Sequence, residues 1–378
     1  MVPNPPKIYV IAGEASGDLH GSNLVSSILQ QSPQTQLKGW GGDAMQKAGV
    51  MITKHIRELA FMGFAEVVAN LPTILRNFKD CKKDILEFCP DLVVLIDYPG
   101  FNLRMAKWLK KQGITTVYYI APQVWAWKEN RVKSIRQNVD LLLSILPFEP
   151  NFFARHDIEA IYVGHPLREA VQRFKSQYIS EDHLNEITAV ALLPGSRKQE
   201  IKVHLPLMLQ LTKHFEEYDF YIAAAPAQEL DFYEQIILET LGTLPRNIHI
   251  LSGKTYDILL RAHMAVVCSG TATLETALFK VPQVVCYKGN KISYWIAKML
   301  IKVKYISLVN LILNRPFLTE LIQDDFSVPL LKKELERLAQ SEVRKNFSVV
   351  YNELEQQLAV DEYASDKAAR LILAAIQK

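Results

Sequence analysis

An α/β protein of two parallel-sheet domains is what this sequence of 378 residues predicts. Three observations carry that expectation. The chain is longer than one typical domain of roughly 100–200 residues. Short apolar, β-branched runs alternate with helical patterns in both halves, as a parallel sheet covered on both faces requires. Each half also opens on a run that ends in a glycine-bearing turn: Ile8 to Ala12 into Gly13-Glu14-Ala15-Ser16-Gly17-Asp18, and Thr188 to Leu193 into Pro194-Gly195-Ser196-Arg197. Such turns present unpaired backbone N–H groups at a helix N-terminus, where anions bind. Two anion-binding halves facing each other across a cleft are therefore expected.

In the first half the strands are expected at 8–12, 36–40, 92–96, 115–120 and 140–145, with helices at 19–31, 64–88 and 103–112 between them. Leu92-Val93-Val94-Leu95-Ile96 is nearly all aliphatic, the pattern of a strand buried on both faces. After Gly164-His165-Pro166 a polar helical stretch to about 187 reads as a linker. The second half repeats the scheme with strands at 188–193, 219–224, 247–251, 264–268 and 283–287, and from 328 onward the chain is almost all helical. The domains expected are 1–166 and 167–344.

Composition narrows the class of protein. Apolar residues make up 49% and charged residues 22%, enough to bury real cores. A formal charge of +3 is too small to argue for nucleic acid. The cysteines at 81, 89, 268 and 286 have no C-x-x-C spacing, which speaks against a disulfide framework or a zinc site and for a reducing cytoplasm. The Pro-rich start lacks the basic cluster of a signal peptide. No stretch approaches the ~18 uncharged apolar residues of a membrane span. No H-E-x-x-H or Asp-x-Asp occurs, no metal or cofactor is expected, and glycines at 13, 17 and 21 do not make the G-x-G-x-x-G dinucleotide fingerprint.

Arg197 follows a strand end and a Gly-Ser turn, where a guanidinium fork can grip phosphate oxygens. A plain exposed Arg is the alternative. Met264 to Cys268 leads into Ser269-Gly270-Thr271-Ala272-Thr273 and a helix carrying Glu275. Small hydroxyl residues and glycine there suit a pyrophosphate, and Glu275 suits vicinal ribose hydroxyls, or merely complements the helix dipole. Asp97, at the carboxyl end of strand 92–96 and ahead of Tyr98-Pro99-Gly100-Phe101-Asn102, lies at the edge that lines ligand crevices in open α/β sheets. It suits a general base; starting a turn is the alternative. Ser16 or Asp18 caps helix 19–31.

Two amphipathic stretches look outward. One runs from Phe61, Met62 and Phe64 into basic Arg76, Lys79, Lys82 and Lys83. The other, at 287–304, would place Lys291, Trp295, Lys298 and Lys302 on one helical face, as on a helix resting against an anionic bilayer, or packed inward with its lysines solvated.

At these residues the chain resembles the lipid A disaccharide synthase family. The resemblance rests on Ala12 to Asp18, Pro122-Gln123-Val124-Trp125-Ala126-Trp127, Leu192 to Arg197, Ser269 to Glu275, Val163-Gly164-His165, and Tyr305 to Asn310, in matching order across most of the chain. It implies an inverting glycosyltransferase of the two-Rossmann-domain (GT-B) type that needs no metal for catalysis. Such an enzyme moves a diacylglucosamine from a UDP donor to the 6-hydroxyl of diacylglucosamine 1-phosphate, at the inner surface of the cytoplasmic membrane. By position, Asp97 would be the base, with Glu14 the competing candidate. Ser16, Gly17, Asn102, Phe61, Met62 and Phe64 would face the substrates. Gly195, Ser196, Arg197, Ser269, Gly270, Thr271, Glu275 and Asn310 would hold UDP. Terminal helices at 345–378 would return to the first domain, leaving open their exchange within a homodimer. Gly100 and Val309 depart from the family pattern, which puts local loop shape in doubt. Against this stand another GT-B transferase, a UDP-N-acetylglucosamine epimerase, and a sugar-nucleotide-binding protein without activity.

Overall fold

The structure, a computed structural model, describes residues 5–59, 71–178, 189–290 and 303–376. It divides into two compact units, Met1–Pro166 with Val360–Lys378, and Leu167–Ala359.

The first unit is built on a seven-stranded sheet: β1 (Lys7–Ala12), β2 (Gln36–Gly41), β3 (Met51–His55), β4 (Leu92–Ile96), β5 (Thr115–Tyr119), β6 (Leu141–Ser144) and β7 (Ala160–Tyr162), in the order β3-β2-β1-β4-β5-β6-β7. Every pairing is parallel. Successive side chains of a strand point to opposite faces, so β1 feeds two cores. Tyr9 and Ile11 pack with Trp40, Val93, Leu95 and Phe101 on one side. Ile8, Val10 and Ala12 pack with Leu24, Val25, Ile28, Val94 and Ile96 on the other. Ala368, Ala369 and Ile372 of the last helix, Ala364–Ile376, join that second core, and Ser27 donates to Asp366 at 2.6 Å. The order reverses between β1 and β4, which puts the topological switch point at the carboxyl ends of these two strands.

The second unit repeats the order with six strands: β8 (Ala189–Leu193), β9 (Asp219–Ala224), β10 (Ile248–Ser252), β11 (Met264–Cys268), β12 (Gln283–Tyr287) and β13 (Glu320–Ile322), arranged β10-β9-β8-β11-β12-β13 and all parallel. Its switch point lies between β8 and β11.

Several expectations shift. Strands β3, β7 and β13 were not foreseen; they are half-exposed edge strands with no aliphatic run. The polar helical stretch expected to run to about 187 is a helix over Pro166–Tyr178, and from Leu167 it belongs to the second unit rather than linking two. Helix Ser341–Gln357 also belongs there, because Tyr351 and Glu355 take Lys280 (3.0 and 2.6 Å) and Gln283 donates to the Tyr351 hydroxyl (3.1 Å). Only the chain from Val360 joins the first unit. Phe61, Met62, Phe64 and the stretch 291–302 lie outside the described residues.

Candidate active site

At the first switch point two turns meet. β1 ends at Ala12, and the helix Ala15–Gln31 begins immediately, with Glu14 at its N-cap and exposed. That helix starts earlier than expected, and neither Ser16 nor Asp18 caps it. Asp18 is buried and accepts instead from the backbone N–H groups of Gly42 (2.7 Å), Ala44 (3.0 Å) and Met45 (3.0 Å), closing the start of helix Asp43–Lys47. Ser16 is exposed beside Glu14. Gly17 is buried, and a Cβ there would stand 3.3 Å from that of Ala12, so glycine permits close helix–strand packing at this point.

β4 ends at Ile96, and Asp97 and Tyr98 follow with φ of 44° and 48°, both in the left-handed region that non-glycine residues rarely enter. Strain of this kind persists only where surroundings impose it. Here they do. The Asp97 carbonyl accepts from the Tyr118 hydroxyl at 2.6 Å and from the Asn102 amide at 2.8 Å, and its N–H donates to the Tyr119 carbonyl at 3.2 Å. Pro99 then opens the helix Pro99–Gln112 with φ pre-set. Asn102, expected to touch substrate, is wholly buried and holds the carbonyls of Ile96 and Asp97, which makes it a positioning residue. The Tyr98 ring lies where a Cβ on Gly13 would be, 2.4 Å away, so only glycine lets the two turns meet.

The electrostatics suit a base. Burial, then the nearby Glu14 carboxylate, push Asp97 up to about 6, while the Tyr98 N–H opposes the rise. A carboxyl raised towards neutrality in this way is a common feature of groups that take protons near neutral pH.

In the second unit β8 leads through Gly195 (φ 116°) to Arg197, the N-cap of helix Lys198–Leu209. Glu200, one turn in, reaches back over this turn. One of its oxygens accepts from Ser196 N–H (3.2 Å) and Arg197 N–H (3.3 Å), and the other pairs with the Arg197 guanidinium (3.1 Å). The anion-binding groups expected here thus already hold a carboxylate. Arg197 remains well exposed, with 61% of its side-chain surface open. His204, buried, donates from Nδ1 to the Pro194 carbonyl (3.0 Å) and accepts at Nε2 from Lys288 N–H (2.9 Å), tying the turn to the end of β12.

After β11 the site residues divide. Thr271 is exposed at the N-cap of helix Ala272–Leu278. Glu275 accepts from the Tyr256 hydroxyl at 2.8 Å, and burial pushes its carboxyl up. Ser269 spends its hydroxyl on the Ile306 carbonyl (2.8 Å). Asn310 is buried, donating to Leu318 O and Glu320 (both 2.9 Å) and accepting from Phe317 and Leu318 N–H (3.0 and 2.8 Å). Ser269 and Asn310 therefore spend their side chains within the fold, on Ile306 and on the segment from Phe317 to Glu320. Glu200 was legible as an acid in the first turn of a helix, three residues after the N-cap, where it complements the dipole. His204, Tyr98 and Tyr118 carried no local signal.

The chain is similar to known proteins. A family model described as Lipid-A-disaccharide synthetase matches residues 8–373. The Lipid-A-disaccharide synthase of Syntrophus aciditrophicus is 38% identical over 383 residues, covering 99% of each chain. That of Myxococcus xanthus is 36% identical over 340 residues, 89% of this chain and 88% of the other. Among solved structures, the glycotransferase of kitacinnamycin aligns with a TM-score of 0.65 at 12% identity, over 99% of this chain and 100% of that one. The UDP-GlcNAc 2-epimerase from Neisseria meningitidis bound to UDP-GlcNAc gives 0.62 at 11%, over 98% and 99%. At such identities the likeness shows the fold alone, which is GT-B.

Proposed function

We propose a reaction from one established premise: the chain belongs to the Lipid-A-disaccharide synthetase family. It is accordingly a glycosyltransferase. The donor we infer is a UDP-linked 2,3-diacylglucosamine, and the acceptor is 2,3-diacylglucosamine 1-phosphate. The acceptor's 6-hydroxyl oxygen attacks the donor's anomeric carbon from the face opposite the diphosphate. A carbon–oxygen bond forms there, the bond to UDP breaks, and the hydroxyl proton passes to the Asp97 carboxylate. The product is a β-1,6 disaccharide.

The observation that carries this reading is Asp97 itself. It stands at the switch point of the first sheet, locked in a strained turn, with its carboxyl raised to about 6. General-base catalysis contributes roughly 10²–10⁴ in rate when the base titrates near the working pH. The second unit takes the leaving group: Arg197 and the backbone of Gly195, Ser196, Gly270 and Thr271 meet the diphosphate, and Glu275 the ribose. Donors aimed at developing charge are worth about 2.7–4 kcal/mol each. The partners are thus two acylated sugars drawn from a bilayer, and the enzyme works as a peripheral protein on the inner membrane surface. Among the described residues no helix is long and apolar enough to cross a membrane. UDP release, assayed with donor and acceptor together and singly, tests the reading: release should require both.

A further inference from the structure

The loop after β5 is built like a site, and the base and UDP contacts leave it without a task. β4 and β5 pair in register, Ile96 opposite Tyr119, so Asp97 and Ile120 leave the sheet side by side. Asp97, Tyr98 and Ile120 (φ 62°) are three of the nine described non-glycine residues of positive φ, gathered at the carboxyl edge of β4 and β5; a fourth, Lys128 (φ 57°), lies farther along the same loop. A β-branched residue in that region is a genuine outlier, and such outliers collect where ligands are held.

The loop is also braced. Trp125 donates from Nε1 to the buried Glu149 (3.1 Å) and packs edge-on against Phe148. Glu149 in turn accepts from Ile145 and Leu146 N–H (3.2 and 3.0 Å). Two residues on, Trp127 faces outward with 43% of its surface open. Lys128 Nζ lies 4.0 Å from its ring centre and the Arg131 guanidinium 5.6 Å. Among the described residues no carboxylate forms an ion pair with Lys128 or Arg131; Glu129, between them, faces His156 at 3.5 Å. Arg131 is half-buried. Its charge is felt at the Tyr118 hydroxyl, which burial and Asp97 push up and Arg131 pulls down. That hydroxyl is the one that holds the Asp97 carbonyl.

Resting on the transferase reading above, we propose that this loop seats the acceptor: Lys128 and Arg131 bind its phosphomonoester, and the exposed Trp127 ring carries the apolar face of its sugar. A dianion suits two cations that no described carboxylate pairs with, and guanidinium binds phosphate by paired hydrogen bonds. A fixed phosphate next to the Asp97 turn would register the acceptor so that one hydroxyl, and not another, meets the base.

Steady-state kinetics on the full chain test this with two acceptors, diacylglucosamine 1-phosphate and the same lipid lacking phosphate, in detergent micelles. The wild type should favour the phosphorylated acceptor. In the double variant Lys128→Ala, Arg131→Ala the preference should fall about tenfold or more, through acceptor KM, with UDP affinity by calorimetry unchanged. Arg131→Lys should recover part of it, and Trp127→Ala should raise KM for both acceptors alike. An unchanged preference overturns the proposal. So does a variant that only loses binding to phosphatidylglycerol vesicles, which would make the cations a membrane contact. Wild-type protein that turns over neither acceptor would instead bring down the transferase reading itself.

Discussion

Glu200 holds Arg197 twice, through its backbone N–H at 3.3 Å and through its guanidinium at 3.1 Å. A diphosphate arriving at this turn meets the carboxylate on the amides it needs. Phosphate and carboxylate cannot share those donors, so if this turn holds the diphosphate as proposed, UDP binding requires Glu200 to yield. Glu200→Gln keeps an acceptor for the cap while removing the negative charge. An exposed ion pair of this kind is worth about 0.2–1 kcal/mol, so UDP affinity in the variant should rise by a few-fold. Calorimetric titration with UDP reads this directly; a fall in affinity would mean that Glu200 orders the site rather than competes for it.

With Asp97 as the proposed base, the pH dependence of turnover follows from its carboxyl. With its carboxyl raised to about 6, the basic form is lost below that pH, and kcat/KM should drop about tenfold per unit on the acid side. Glu14 is the second cause of the rise. Glu14→Gln removes a neighbouring negative charge, so the acid limb should move to lower pH. A limb that stays in place would show that burial alone sets Asp97.

Two buried histidines lower the stability of the first unit in acid. Burial lowers His20 to about 4 and His165 to about 3, the latter helped by His20. Both are neutral in folded and unfolded chains at neutral pH. Below about 6.5 the unfolded chain binds protons that the folded one refuses, so stability falls as pH falls towards the folded values. Asp97 and Glu149, raised by burial to about 6 and about 7, act oppositely: their contribution is present at low pH and lost as pH rises. The histidine part is isolated by comparison with His20→Gln. Denaturant unfolding should show its acid limb flatter than wild type by up to about 1.4 kcal/mol per pH unit. Parallel limbs would contradict the neutral, buried assignment.

Much of this was legible in the sequence because parallel strands buried on both faces leave an unmistakable trace. Leu92–Ile96 and Met264–Cys268 need no context, and the turns that follow them place Asp97 and Thr271 at sheet edges. The edge strands Met51–His55 and Glu320–Ile322 escaped because one side faces solvent and carries polar residues. Hydrogen bonds between residues far apart escaped for a different reason. Asp18 closes a helix start at Gly42, and Ser269 holds Ile306, and neither partner can be read from local spacing. Residues chosen for their polarity, such as Asn102 and Asn310, therefore prove to be buried supports, while Glu14, Ser16, Ser196, Arg197, Gly270 and Thr271 are left exposed.

The most direct measurement is disaccharide formation by Asp97→Asn alongside Arg197→Ala, with UDP affinity determined for both. The account predicts that Asp97→Asn loses roughly 10²–10⁴ in turnover and binds UDP as the wild type does, whereas Arg197→Ala binds UDP more weakly. Near-normal turnover by Asp97→Asn, or unaltered UDP affinity in Arg197→Ala, would contradict it.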